Sequence, residues 1–188
     1  MKKLLFILLF TTVIFGQQKE LSEPSKIISN SQFAQIDRDE NQKALFKSGL
    51  GETVVLYPCQ ITDLKNNIKL FGLQVESNVL IGMNGYSPSM YYCSAFVQMS
   101  EINDLISWFE LYVVPAIENN KSTEKRKYLT YVFNCKEIMF KFQINADGQI
   151  FSVILNNSLI PSKYFWTESG VKNIPNVITT LKFLRDKK

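Results

Sequence analysis

Between Ser100 and Asn119 the apolar residues Ile102, Leu105, Ile106, Phe109, Tyr112, Val113, Ala116 and Ile117 recur at three- and four-residue steps. That spacing gathers side chains on one face of an α-helix. Ser100 is the expected N-cap, and Glu101 and Asp104 suit the positive end of the helix dipole. Pro115 has no backbone donor and crowds the carbonyl four residues earlier, so the helix is expected to kink or stop near Val114. A second stripe, Ile174, Val177, Ile178, Leu181 and Leu184, predicts a helix over 173–185. Pro175 falls in its first turn, where proline is tolerated, and Arg185, Lys187 and Lys188 suit its negative end.

Other stretches alternate with a period of two. Thr53–Tyr57 is β-branched and aromatic and is expected to stop at Pro58. Ile68–Val75 and Asn78–Met83 read as further strands. Asn84-Gly85 is a turn signal, which predicts a hairpin of 78–83 with Met90–Met99 and delivers the chain into the first helix. Tyr128–Phe133, Glu137–Ile144 and Gln149–Asn156 predict a three-stranded meander, with Ile138, Phe140, Phe142 and Ile144 on one face of its middle strand. Ser31–Leu45 predicts a short helix anchored by Phe33 and Ile36. Ser158–Lys172 reads as a loop.

Strands grouped together and helices laid against them make an α+β fold. The expectation is an antiparallel sheet built from hairpins and a meander, with two amphipathic helices packed on one face. It occupies a single domain over 31–188, preceded by a flexible polar segment at 17–30 that contains Pro24. With 188 residues, 46% hydrophobic and 20% charged, the chain has an ordinary globular composition and is large enough to fold without a metal or disulfide.

Residues 1–16 differ from the rest. Lys2 and Lys3 precede the apolar run Leu4–Phe15, and Gly16 closes it, the pattern of a secretory signal peptide. Twelve positions are too few to span a bilayer comfortably, so export to the periplasm or medium is expected, with no stable membrane span after leader removal. Loss of two lysines with the leader leaves nineteen cations against seventeen acids, a net charge of +2. The one basic cluster, Lys121–Lys127, is too little to predict nucleic-acid binding. In an oxidising compartment Cys59, Cys93 and Cys135 allow one disulfide, of which Cys93–Cys135 is the preferred candidate; three buried thiols are the alternative.

The chain has no histidine, which removes Ser-His-Asp and Cys-His nucleophilic sites and most zinc sites. Asp37-Arg38-Asp39-Glu40-Asn41 begins like a calcium loop, but Gln42 stands where the turn glycine belongs and Ser48 where the closing glutamate belongs. No metal site, cofactor or catalytic residue is predicted. Glu76, Glu101, Glu110, Glu137 and Asp147 could supply carboxylates, yet no spacing selects a pair. The remaining signal is aromatic: Tyr86 in one hairpin, and Tyr164, Phe165 and Trp166 before the last helix. Tyr and Trp join apolar area to a hydrogen-bonding tip, which suits a binding surface for a protein or polymer partner. The expected function is a non-enzymatic binding, inhibitory or envelope-associated module; the alternative is a small secreted carboxylate-dependent hydrolase.

Overall fold

A serine followed two residues later by proline starts the first helix in the computed structural model, which describes residues 20–85, 87–119, 128–146, 148–156, 160 and 163–187. Ser22 caps α1 (Glu23–Asn30), its hydroxyl accepting from the Ser25 N–H, and Pro24 occupies the first turn, where a missing donor costs nothing. The part of 17–30 from Ser22 onwards is therefore not a loose arm. Pro24 is buried, and Ile27 and Ile28 pack on Cys59, Ile61 and Phe96. Gly72 permits the close approach, since a Cβ there would stand 3.1 Å from Pro24 Cγ.

The short helix expected over Ser31–Leu45 is replaced by β1 (Ala34–Arg38), a 3-10 turn (Glu40–Gln42) and β2 (Ala44–Lys47). Ala44 and Phe46 are buried in alternation, a period that the charged residues before them conceal. Both strands pair with one side of β3 (Thr53–Asp63), β2 along residues 53–56 and β1 along 59–63. Pro58 lies in the gap between these pairings, and its carbonyl accepts from Asp39 N–H on that side. Its absent N–H thus interrupts no ladder, and β3 continues through the proline instead of stopping before it.

β4 (Ile68–Asn84) joins the two strands expected at 68–75 and 78–83 into one, and β5 (Ser87–Gln98) returns beside it with a bulge between Leu80 and Gly82. α2 (Met99–Trp108) follows directly. Its N-cap is Gln98 rather than Ser100; Glu101 accepts the Gln98 N–H at 3.3 Å, and the Ser100 hydroxyl accepts from Gln98 Nε2. A π segment (Phe109–Val113) then leads into α3 (Val114–Asn119), with the Val114 N–H on the Phe109 carbonyl. A widened turn is how a helix passes a proline such as Pro115 without ending.

β6 (Leu129–Asn134), β7 (Ile138–Ile144) and β8 (Gln149–Leu155) form the expected meander. β9 (Phe165–Thr167) adds a fourth strand from the stretch read as loop, and a 3-10 turn (Ser169–Asn173) enters α4 (Ile174–Arg185). The protein is α+β with antiparallel pairing throughout, but its strands form two sheets: β1 to β5, and β6 to β9. The inner faces of both sheets share one core with α2 and α4, in which Phe46, Phe109, Phe140, Phe142, Phe151 and Phe165 are fully buried. α1 covers the outer face of the first sheet.

The two sheets meet at a buried side chain. Glu137, 2% exposed in the turn before β7, accepts the Ser22 N–H on Oε1 at 2.7 Å and the Phe96 N–H on Oε2 at 3.1 Å. Beside it Glu101 accepts the Lys136 N–H at 3.1 Å, and Lys136 Nζ reaches Glu20 at 2.7 Å. Burial raises the Glu101 carboxyl above the ordinary value of 4.5, opposed by its hydrogen bonds to Lys136 and Gln98.

Glu137→Ala strands two backbone donors and is expected to cost about 2–4 kcal/mol, seen as a melting temperature lower by roughly 10 °C; an unchanged melting temperature would remove Glu137 from this role. For Glu101 the folded protein binds its proton more tightly than the unfolded chain. Its contribution therefore falls as pH rises from 4.5 through the raised value. Glu101→Gln should compare better with wild type at pH 7 than at pH 4 in denaturant titrations, and parallel stability curves would contradict this.

Candidate functional site

Alternation along β9 sorts its aromatic residues. Phe165 and Thr167 point inward, whereas Tyr164 just before the strand and Trp166 within it are 43% and 46% exposed. Phe165 belongs to the core, with its ring centroid 6.4 Å from that of Phe46, so it is removed from the candidate binding surface. Tyr164 and Trp166 are brought together on one outward face. The Lys141 ammonium stands 5.8 Å from the Tyr164 ring centroid. Cross-strand pairing places Trp166 in the row Val132, Lys141, Ser152 on the outer face of the second sheet. Tyr86 lies outside the described residues.

The anchoring of β9 is specific. Thr167 Oγ1 accepts the Gly170 N–H at 2.8 Å, and a Cβ on Gly170 would stand 2.7 Å from that oxygen. Glycine is therefore needed where the chain leaves the strand, and the Trp166 backbone is held between a core phenylalanine and this turn. Across from Trp166 lies the turn between β2 and β3, Ser48-Gly49-Leu50-Gly51-Glu52, with Leu50 68% exposed and Gly51 at φ +82°. Between them is a cleft of about 230 Å³ lined by Ser48, Leu50, Glu52, Trp166, Glu168 and Ser169 among others. Nothing in the sequence pointed to Leu50 or Glu52, because the cleft exists only through pairing distant in sequence.

A larger cavity of about 380 Å³ lies between the Asp37–Asn41 stretch and the end of α4. Among the described residues its charges are ion-paired apart from Asp37, which holds only a neutral donor. Arg38 pairs with Glu76 at 2.7 Å, Lys187 with Asp39 at 3.3 Å and Lys43 with Glu40 at 2.8 Å, while Asp37 accepts from Gln35. The calcium-like spelling thus serves local structure, with Asp39 also accepting the Asn41 N–H at the start of the 3-10 turn.

None of the three cysteines is in a disulfide, so the Cys93–Cys135 bridge is not formed. Cys93 is on β5 of the first sheet and half-buried; Cys135 is buried in the turn between β6 and β7 of the second. Cys59 donates to the Gly72 carbonyl, and burial pushes its thiol up to about 12; burial raises Cys135 as well. These buried thiols behave as small core residues and are held away from thiolate chemistry. Of the carboxylates singled out, Glu76 and Glu110 are ion-paired, to Arg38 and Lys182, and Glu101 and Glu137 hold backbone donors. Asp147 lies outside the described residues.

Comparison with known protein families and with curated proteins finds no match for this chain.

Phe165→Ala should cost about 3–5 kcal/mol in denaturant titrations, while Tyr164→Ala and Trp166→Ala should each stay within about 1 kcal/mol of wild type. Comparable losses in all three would mean that the outward pair is structural too.

Proposed function

We propose that this chain is an exported, non-enzymatic binding module that acts through the outward aromatic pair Tyr164 and Trp166. The observation that carries the reading is their presentation: two exposed aromatic side chains, one just before and one within a strand whose alternate residues are locked into the core. Such side chains bring broad contact area with few rotatable bonds, so little conformational entropy is lost when a partner covers them. Export rests on the pattern of Met1–Gly16, which lies outside the described residues. Among the described residues no helix is long and apolar enough to cross a membrane. The hydrolase alternative draws no support from Glu76, Glu101, Glu110 or Glu137, since each is committed to an ion pair or to backbone donors.

The test is affinity capture from envelope and medium fractions with the chain from Gln17 onwards as bait, wild type against Tyr164→Ala/Trp166→Ala. A partner enriched by wild type and at least about tenfold less by the double variant, at unchanged melting temperature, supports the reading. Equal capture by both baits would overturn the assignment of this surface.

A further inference from the structure

The cleft beside Trp166 carries charge that the described structure leaves unneutralised. Among the described residues its lining includes two carboxylates, Glu52 and Glu168, and neither lysine nor arginine. Among the described residues neither glutamate enters an ion pair. Glu52 is held in place, Oε1 accepting the Leu80 N–H at 2.9 Å and Oε2 the Ser48 hydroxyl at 2.8 Å. A carboxylate offers about four acceptor sites, so it keeps capacity towards a ligand. Glu168 is exposed, follows Trp166 by two residues and lines the same cleft.

Three features of this arrangement define an occupant. Carboxylates exclude an anion and attract a cation. The exposed indole face is electron-rich and also attracts a cation, most strongly a flat one that can stack on it. The third feature is size: about 230 Å³ is below the ~300–1,000 Å³ of pockets that enclose a whole drug-sized molecule, which leaves room for one side chain. A neutral sugar ring could stack on Trp166 but would leave the charge of Glu52 and Glu168 unused.

Building on the binding-module reading, we infer that this cleft receives a guanidinium group, the arginine side chain of a partner protein, stacked on Trp166 with its edge donating to Glu168 and Glu52. Arginine is preferred to lysine because its planar fork satisfies stacking and a carboxylate at once. Gly49 and Leu50 form the opposite wall, where Leu50 offers an exposed apolar side chain to the alkyl stem.

The two tryptophans make the test direct, because Trp108 is 6% exposed in the core and serves as internal control for Trp166. The indole N–H resonances of the folded chain from Gln17 are followed during titration with acetyl-Gly-Arg-Gly-amide, with its neutral citrulline counterpart and with chitotriose. The expected result is a saturable shift of Trp166 alone with the arginine peptide, weakened by salt and reduced about tenfold in affinity by Glu168→Gln at unchanged melting temperature. Equal binding of the citrulline peptide, a response to chitotriose only, or no movement at about 10 mM arginine peptide would each overturn the inference. Partner capture that depends on Tyr164 and Trp166 together with a silent arginine titration would overturn this inference alone and leave the binding-module reading standing.

Discussion

A buried carboxyl group at the meeting of two sheets is the constraint from which the rest of this structure follows. The first sheet ends at β5, whose outer edge would present the Phe96 N–H to the interior without a partner. An unpaired donor there costs as much as a lost hydrogen bond, and no strand of the second sheet is in register to accept it. Glu137 supplies the acceptor from the second sheet, and its other oxygen takes the first N–H of the α1 region. Each Glu137 oxygen meets one of the two donors, whereas glutamine in the same pose would turn its own N–H2 group towards one of them. The same turn is held by Glu101 from the start of α2, so the entries of both helices and the edge of one sheet are fixed to a few residues of the other.

That attachment decides how rigidly the outer surface is displayed. The second sheet is joined to the first through the shared phenylalanine core and through Glu137, and β9 lies at its far margin. A three-residue strand has little ladder of its own. It is held instead by Phe165 against Phe46, by Thr167 on the Gly170 N–H and by pairing with β8. Tyr164 and Trp166 inherit this order, which separates them from the exposed apolar residues of the hairpin beyond Asn78, such as Ile81 and Met83, where β3 no longer pairs with β4. A two-stranded extension lacks the third strand that makes a sheet independently stable.

Periodicity made α2, α4 and the meander legible, because each buries one face against a wet one and the contrast repeats over several turns or pairs. Besides β2, three features escaped it for different physical reasons. β1 is held mainly by backbone bonds to the far half of β3 and is exposed on nearly every side, so it has no apolar pattern to read. In α1 the signal was present but ambiguous: Pro24 breaks a helix interior yet starts a first turn, and only Ser22 before it decides between them. β9 failed because Tyr164, Phe165 and Trp166 are all aromatic. Alternation assigns one of them to the core, but composition cannot say which, and the answer depends on where Phe46 and Phe151 stand.

The same limit applies to the two cavities. The charged stretch Asp37–Asn41 stands out in the sequence and does line the larger cavity, yet folding brings Lys187, Lys43 and Glu76 to Asp39, Glu40 and Arg38, so that among the described residues of this stretch Asp37 alone lacks an ionic partner. Glu52 and Glu168 are unremarked in the sequence, more than a hundred residues apart, and become neighbours of one exposed indole only when β2, β3 and β9 are in place. A ligand gains most where the fold has left charge unmatched, since it need not first displace an internal partner. Volume alone would choose the other cavity, and charge balance reverses that order.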